Sequence, residues 1–108
     1  MRINMIEFTK KDEGKEYISI LVGDGTPTEK IYKRIIDIYP NLKKSLYKKD
    51  DTEILFEFPE SSNEEKRFNC SYQDLVITVK EVTPFAETRM IKIENGIRIN
   101  IFDIPHLN

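Results

Sequence analysis

Residues that perform nucleophilic catalysis are scarce in this sequence of 108 residues. It contains one cysteine, Cys70, and one histidine, His106. A catalytic thiolate needs a histidine beside it, and His106 lies among the last three residues, where a chain end frays. Cys70 alternates with Phe68 and Tyr72, which predicts a sulfur atom that faces the core as a small apolar group. We therefore expect neither a Cys–His catalytic pair nor an internal disulfide.

Carboxylates are plentiful, but their surroundings do not favour acid–base or metal chemistry. Adjacent pairs such as Asp50–Asp51 and Glu64–Glu65 lie in hydrophilic stretches, where water keeps both carboxylates ionised and gives no raised pKa for acid catalysis. One cysteine and one histidine exclude the usual zinc ligand sets, and the acidic stretch lacks the spacing of a calcium loop. The sequence predicts a protein that is not an enzyme and binds no metal and no cofactor.

A glycine-containing turn from Gly23 to Thr26 precedes a predicted helix. Backbone amides at such a helix start can bind phosphate, but the Lys-Ser/Thr pair of a phosphate-binding loop is absent and Asp24 would repel an anion. The same residues suit a capped helix start, with Thr26 as the cap, Pro27 at the first helical position and Glu29 three residues after the cap. We expect the Thr26 hydroxyl to cap a helix that begins at Pro27.

Charged residues form two adjacent blocks of opposite sign, although the net charge of the chain is only −2. Each block is either a surface that steers a charged partner or a solvated helix face and loop. The basic block contains Lys30, Lys33, Arg34, Lys43, Lys44, Lys48 and Lys49. The acidic block, which is the candidate partner-binding site, contains Asp50, Asp51, Glu53, Glu57, Glu60, Glu64 and Glu65.

The composition indicates one globular domain spanning residues 1–108. Hydrophobic residues make up 39% of the chain, which is too apolar for a disordered chain and enough for one core. No stretch approaches the roughly 18 consecutive apolar residues of a membrane span, and the N-terminal region lacks the apolar segment of a signal peptide. Because a single cysteine also suits a reducing compartment, we expect a cytoplasmic protein that does not contact a membrane.

The helix after the turn has a clear amphipathic pattern. Its apolar side chains share an arc of roughly 160°, and Lys30, Lys33, Arg34 and Asp37 lie opposite. Pro40 removes an amide donor, so the helix is expected to stop or kink there. The segment from Asn41 to Lys48 then predicts a second short helical turn. The apolar arc contains Ile31, Tyr32, Ile35, Ile36, Ile38, Tyr39 and Leu42.

Alternating or β-branched segments predict several strands. The segment from Glu16 to Val22 is apolar on both faces, which favours a central strand, and it is expected to form an N-terminal hairpin with the strand before it. A polar loop is predicted from Glu60 to Lys66. The other predicted strands run from Arg2 to Thr9, Glu53 to Phe58, Phe68 to Tyr72, Leu75 to Val82, Met90 to Ile93 and Ile97 to Ile101.

Asn95 and Gly96 separate the last two predicted strands. A two-residue turn at these positions would place Ile93 opposite Arg98 and divide the isoleucines between the two faces. A three-residue loop of Glu94, Asn95 and Gly96 pairs Ile93 with Ile97 instead and gathers the isoleucines on one face. We therefore expect the three-residue loop.

The stretch from Gly14 to Ile36 resembles the first half of a ubiquitin-like β-grasp domain, in which a hairpin is followed by a capped helix. This resemblance implies a helix packed across a sheet, although the sequence has one more predicted hairpin than that fold requires. The predicted fold class is α+β, with a mostly antiparallel sheet of five to seven strands and one main amphipathic helix.

A domain with segregated charge and no catalytic set is expected to act through surface contacts. We expect a small inhibitor that binds another protein, such as an immunity protein or antitoxin that neutralises a toxin nuclease, or an inhibitor of a defence complex. The acidic block would occupy a basic cleft on that partner. The alternative is a nucleic-acid-binding accessory protein that uses the basic block. The sequence leaves the oligomeric state open.

Overall fold

The computed structural model describes residues 15–59 and 72–103 of the chain. The predicted strands at 2–9 and 68–72 and the predicted loop at 60–66 lie outside these ranges, apart from Tyr72, and so do Cys70 and His106. The elements in chain order are β1 (Lys15–Gly23), α1 (Thr28–Ile38), a 3-10 helix (Pro40–Ser45), β2 (Leu46–Lys49), β3 (Glu53–Pro59), α2 (Tyr72–Val82), β4 (Ala86–Ile93) and β5 (Gly96–Asp103).

The five described strands form one mixed sheet in the order β2-β3-β1-β5-β4. The central strand, β1, is antiparallel to β3 and parallel to β5, while β2–β3 and β4–β5 are antiparallel pairs. The α+β class and the central position of β1 are confirmed. The expectation of a mostly antiparallel sheet is wrong, because the chain returns from β3 through α2 and β4 to place β5 parallel to β1.

Both edges of β1 are occupied along almost its whole length. Residues 15–21 pair with β3 and residues 17–23 pair with β5. The N-terminal hairpin predicted from the alternating segments would need one of these edges. β1 instead pairs with β3 and β5, which come later in the chain. Three paired strands bury more apolar surface than a two-stranded hairpin alone.

Both helices contribute buried side chains to the core on one face of the sheet. From α1, Ile31 and Ile35 are completely buried, as the amphipathic pattern predicted. Tyr32 of the same helix stacks on Phe56 of β3, with ring centroids 6.4 Å apart. The sheet contributes alternate residues of its strands, since side chains point to each face in turn. These sheet residues are Ile18, Ile20, Val22, Ile54, Phe56, Phe58, Ile97, Ile99 and Ile101.

The start of α1 differs from the predicted capping box. Pro27 occupies the cap position, and no side chain caps the helix. The Thr26 hydroxyl donates to Asp24 Oδ2 at 2.9 Å, so it is engaged within the preceding loop. The hydroxyl of Thr28 is buried instead and donates to the carbonyl oxygen of Asp50 at 2.6 Å. The predicted cap by Thr26 is therefore wrong. The Thr28 hydroxyl instead connects the helix start to the turn that contains Asp50.

The predicted end of α1 is confirmed. The helix stops at Ile38, and the amide of Tyr39 donates to the carbonyl of Ile35 at 2.7 Å. The following 3-10 helix starts at Pro40 and buries Leu42. The predicted helical turn is right only in this first part, because Leu46–Lys49 forms a strand on the open edge of β3. A lysine-rich sequence carries little strand signal, whereas an unpaired sheet edge supplies hydrogen-bond partners to any extended backbone.

The helix α2 lies where a strand was predicted from Leu75 to Val82. Leu75 and Val79, four positions apart, are completely buried, and Thr78 lies on the same buried side. The β-branched residues favour strands by their propensity, but burial of a helically spaced apolar stripe outweighs that preference. The strand prediction is wrong, and so is the expectation of one main helix, since the described ranges contain two.

The hairpin of β4 and β5 has a two-residue loop, Glu94 and Asn95, so the predicted three-residue loop is wrong. Ile93 pairs with Gly96, which has a φ of 142° and packs so closely on Tyr17 that a Cβ atom would collide with its backbone. The carbonyl of Asn95 accepts the amide of Tyr17 at 2.7 Å. Pairing with β1 therefore selects the register, and it places Ile91 on the face opposite that of Ile97.

Candidate partner-binding surfaces

A groove of about 530 Å³ lies at the start of α1. Residues 25–29 form one wall, and residues 49–52, which include the turn between β2 and β3, form the other. The wall side chains include Glu29, Asp50 and Asp51 against the single base Lys49, which gives a formal charge of −2. We call this site the acidic groove.

Asp50 is held in place within this groove by its own turn. Its Oδ1 atom accepts the amides of Thr52 and Glu53, each at 2.9 Å. The hydrogen bond from the Thr52 amide lowers the pKa of Asp50, with a further contribution from Lys48. Because the Asp50 carbonyl also accepts the Thr28 hydroxyl, the turn is fixed at both its side chain and its backbone. The carboxylate is ionised and pre-positioned.

The other charged side chains of the acidic groove differ in their availability. Asp51 is exposed at the tip of the turn. Glu29 accepts a hydrogen bond from Lys49 Nζ at 2.7 Å, which lowers the pKa of Glu29 and raises that of Lys49. The Lys49 ammonium also lies 5.6 Å from the centre of the Tyr32 ring. The Glu29–Lys49 pair neutralises itself, and Lys48 Nζ lies 3.8 Å from Asp50 Oδ2. Among the described residues, the negative charge of this groove that no base balances therefore belongs to Asp51.

Glu53 belongs to the predicted acidic site but lies outside this groove. Its side chain is on the sheet face opposite the helices, where Oε2 accepts the Ser19 hydroxyl at 2.6 Å and lies 3.6 Å from Arg98 Nη2. Lys48 Nζ approaches the other carboxylate oxygen at 3.2 Å. The Arg98 Nε atom donates to Ser19 Oγ at 3.1 Å. Glu53 therefore serves an internal network that joins β1, β3 and β5.

Glu57 lies on that same face and is also engaged. It accepts the hydroxyl of the buried Tyr17 at 3.0 Å and lies 3.5 Å from Lys15 Nζ. The structure thus divides the predicted acidic block, with Asp50 and Asp51 in the groove and Glu53 and Glu57 in internal contacts. The remaining predicted members, Glu60, Glu64 and Glu65, lie outside the described residues.

A second groove, of about 820 Å³, lies along the outer side of α1. Its apolar lining comes from Tyr32 and Ile36 of α1 and Val82 of α2. The bases Lys30, Lys33, Arg34 and Lys43 against the acids Glu29 and Asp37 give the lining a formal charge of +2. We call this site the lysine groove. Sequence reasoning placed the lysines on the exposed side of α1 but missed Val82, because the helix that carries it was predicted as a strand.

Members of the predicted basic block are not equally available. Arg34 Nη2 lies 2.8 Å from Glu81 of α2, and Arg34 Nη1 lies 3.5 Å from Asp37. Lys48 and Lys49 are in the ion pairs described above. Lys44 is exposed but does not line the groove. The lysine groove therefore owes its positive charge mainly to the exposed side chains of Lys30, Lys33 and Lys43.

Neither a family model, nor a curated protein, nor a solved structure matches this chain. The described ranges contain no group of three or more His, Cys, Asp or Glu side chains arranged to hold a metal ion. In the part of the chain that the structure describes, no helix has the length and apolar character needed to cross a membrane.

Proposed function

We propose that this chain is a small non-catalytic inhibitor that binds another protein through the acidic groove. The observation that carries the proposal is the fixed, exposed turn of Asp50 and Asp51. A turn held by hydrogen bonds loses little conformational freedom on binding, so more of the contact energy contributes to affinity. Asp50 and Asp51 line a groove of about 530 Å³, which has room for a basic side chain of the partner.

The partner class follows from the charge. A cleft that binds nucleic acid is rich in lysine and arginine, and arginine pairs with carboxylates through paired hydrogen bonds. An acidic turn that enters such a cleft both blocks the substrate and gains complementary contacts. Toxin nucleases and nucleic-acid-binding defence complexes have clefts of this kind, which places the proposal with immunity proteins and antitoxins. The proposal keeps Glu60, Glu64 and Glu65 among the partner-binding residues.

The test uses the purified product of the neighbouring gene as the candidate partner and measures association rates at low and physiological salt. Asp51→Lys should slow association several-fold, and raised salt should reduce the difference, because exposed charges act through steering over a Debye length of about 8 Å. Glu94→Lys makes the same charge change at the opposite end of the sheet and should leave the rate nearly unchanged. Equal effects of the two variants would contradict binding through the acidic groove.

The lysine groove supports a second candidate, a nucleic-acid-binding accessory protein. Lys30, Lys33 and Lys43 line the same groove and would contact phosphates, whereas Tyr32 is stacked on Phe56 and is not free to stack on a base. Binding would therefore depend on phosphate contacts and fall steeply with salt.

Fluorescence anisotropy with a labelled single-stranded oligonucleotide distinguishes the two candidates. If the second is correct, binding is submicromolar, and Lys33→Gln reduces the magnitude of the salt slope by about one. Lys44→Gln, a neighbouring exposed lysine outside the groove, serves as the matched control. Absence of binding at low salt would exclude the nucleic-acid-binding function. Tight and salt-dependent binding would favour that function over the inhibitor function.

A further inference from the structure

The two edges of the described sheet are built differently. At one edge, β2 has four residues, a register shift between Leu46 and Lys48, and two consecutive lysines. Short length, bulges and lysines are the features that keep an edge strand from pairing with other chains. At the other edge, β4 has eight residues and pairs with β5 without a register shift. This edge lacks the irregularity and shortness that protect β2.

The free hydrogen-bonding groups of β4 can be assigned from one contact. The Ala86 amide donates to the carbonyl of Thr83, away from β5. Because paired residues in an antiparallel ladder alternate between hydrogen-bonded and non-hydrogen-bonded positions, the backbone groups of Thr88, Met90 and Lys92 also point away from β5. Of the strands within 15–59 and 72–103, none pairs with this edge.

Two of the four exposed side chains of this edge strand are apolar, and they lie between the charged residues Arg89 and Lys92. Met90 is 40% exposed and Ile91 is 42% exposed, on opposite faces of the strand. Phe85, immediately before β4, is 90% exposed. An edge that presents both unpaired backbone groups and apolar side chains is a template for a further strand.

We propose that β4 pairs antiparallel with β4 of a second copy of this chain, with Met90 on the two-fold axis. Two-fold symmetry with a continuous sheet requires a residue to face its own copy. Centring on Met90 pairs all three outward residues, because Met90 faces Met90 and Thr88 faces Lys92 of the second copy. Centring on Arg89 would oppose two guanidinium groups, and centring on Ile91 would pair Thr88 with the loop residue Glu94.

The cross-strand neighbours in this register are compatible. Lys92 lies opposite Thr88 of the second copy and Arg89 lies opposite Ile91, so no charged side chain directly faces one of like charge. Arg89 is already paired with Glu87 on its own strand at 3.1 Å. The two apolar Met90 side chains meet on the helix face of the sheet. The proposed contact buries Met90 and Ile91 in both copies.

This interface would join two copies into one continuous sheet and leave both grooves accessible. The acidic turn between β2 and β3 lies at the sheet edge remote from β4, with β3, β1 and β5 between them. The dimer would therefore carry two acidic grooves. Dimer formation is independent of the proposed inhibitor function, because the test needs no partner protein.

Sedimentation equilibrium of the full chain from about 1 µM to about 200 µM measures the assembly directly. The expected result is a concentration-dependent dimer. Met90→Pro removes an amide that points outward and should weaken the dimer about tenfold or more while β4–β5 pairing remains. Ile91→Pro is the matched control at the next residue, because its amide bonds to β5 and its loss should lower the unfolding midpoint.

A second variant separates assembly from folding. Met90→Lys places two ammonium groups opposite each other on the axis and should also abolish the dimer, whereas Met90→Leu should retain it. A wild-type chain that stays monomeric over the whole concentration range would overturn the proposal. So would a dimer that survives both Met90→Pro and Met90→Lys with the fold intact.

Cross-linking tests the register. In a Cys70→Ser background, Met90→Cys should form an intermolecular disulfide on mild oxidation, since residues facing each other across strands have Cα atoms about 5.5 Å apart. Ile91→Cys would lie diagonal to its own copy, about 7 to 8 Å away, and should cross-link poorly. Preferential cross-linking through Ile91→Cys would contradict the axis at Met90.

Discussion

The two helices have equal lengths and pack on the same face of the sheet, yet they are held there by different interactions. α1 carries charged residues along its outer side and begins with a polar anchor, the hydrogen bond from Thr28 to the Asp50 carbonyl. In α2, five of the eleven residues are β-branched and the outward-facing Ile77 is 59% exposed. Its buried residues include Leu75 and Val79. The two helices meet at the Arg34–Glu81 ion pair.

This difference shows that α1 links the fold to the candidate site, while α2 depends on the core. The anchor of α1 is the same Asp50 that orders the acidic turn, so the helix start and the groove share one hydrogen-bonded residue. α2 has low intrinsic helix propensity, since β-branched residues lose side-chain freedom in a helix. Packing against the sheet therefore supplies most of its stability.

The largest expected effect comes from truncating one completely buried apolar side chain in each helix. Leu75→Ala and Ile35→Ala should each lower the free energy of unfolding by about 2 to 5 kcal/mol, because both side chains are completely buried and leave a cavity. Chemical denaturation measures the loss. Ile77→Ala is the exposed control and should change stability by no more than about 0.5 kcal/mol. A tolerated Leu75→Ala would mean that α2 is not held by its apolar stripe.

A smaller effect is expected at the polar anchor of α1. Thr28→Val keeps the side-chain shape but removes the hydrogen bond to the Asp50 carbonyl, and should cost about 1 kcal/mol. Thr26→Ala removes only a hydrogen bond within the loop and should cost less than about 0.5 kcal/mol. Thermal or chemical unfolding of the two variants compares them directly. If Thr26→Ala lowered the stability more than Thr28→Val did, the result would support the capping box predicted from the sequence.

The contact between the helices should contribute less. Both side chains of the Arg34–Glu81 pair are nearly half exposed, and exposed ion pairs contribute about 0.2 to 1 kcal/mol. A double-mutant cycle with Arg34→Ala and Glu81→Ala measures their coupling energy, which should shrink at high salt. A coupling energy well above this range, or one that does not change with salt, would show that the pair helps to position the two helices.

The smallest effect is a change in acid sensitivity at the turn that anchors α1. The pKa of Asp50 is lower in the folded chain than its ordinary value of 3.8. Its contribution to stability is therefore complete above that value and is lost as the pH falls through the lower folded pKa. Asp50→Asn keeps an oxygen acceptor for the turn but cannot titrate.

Unfolding midpoints measured between about pH 6 and about pH 3 test this linkage. The wild-type chain should lose more stability over that interval than the Asp50→Asn variant. Asp51→Asn removes the same charge one residue away without removing the turn hydrogen bonds, and serves as the control. Identical acid sensitivity of the wild-type chain and Asp50→Asn would argue that the turn does not depend on the ionised carboxylate.

The sequence determined the elements whose signals are local. The amphipathic arc around Ile31 and Ile35 predicted α1 and its buried face, and Pro40 predicted its end. The two apolar faces of β1 predicted its central position. It also showed that the charges are segregated. Each of these features depends on the periodicity or backbone restriction of a few neighbouring residues.

Only the tertiary structure decided the pairings and contacts between distant residues. Parallel pairing with β1 selected the register at Gly96, and packing on the sheet made a helix of the β-branched segment around Leu75 and Val79. The acidic block was divided because alternation along β3 sends Glu53 to the face that carries Ser19 and Arg98, whereas Asp50 remains in the turn. These outcomes depend on which backbone edge or buried surface lies nearby in space, which short-range patterns do not specify.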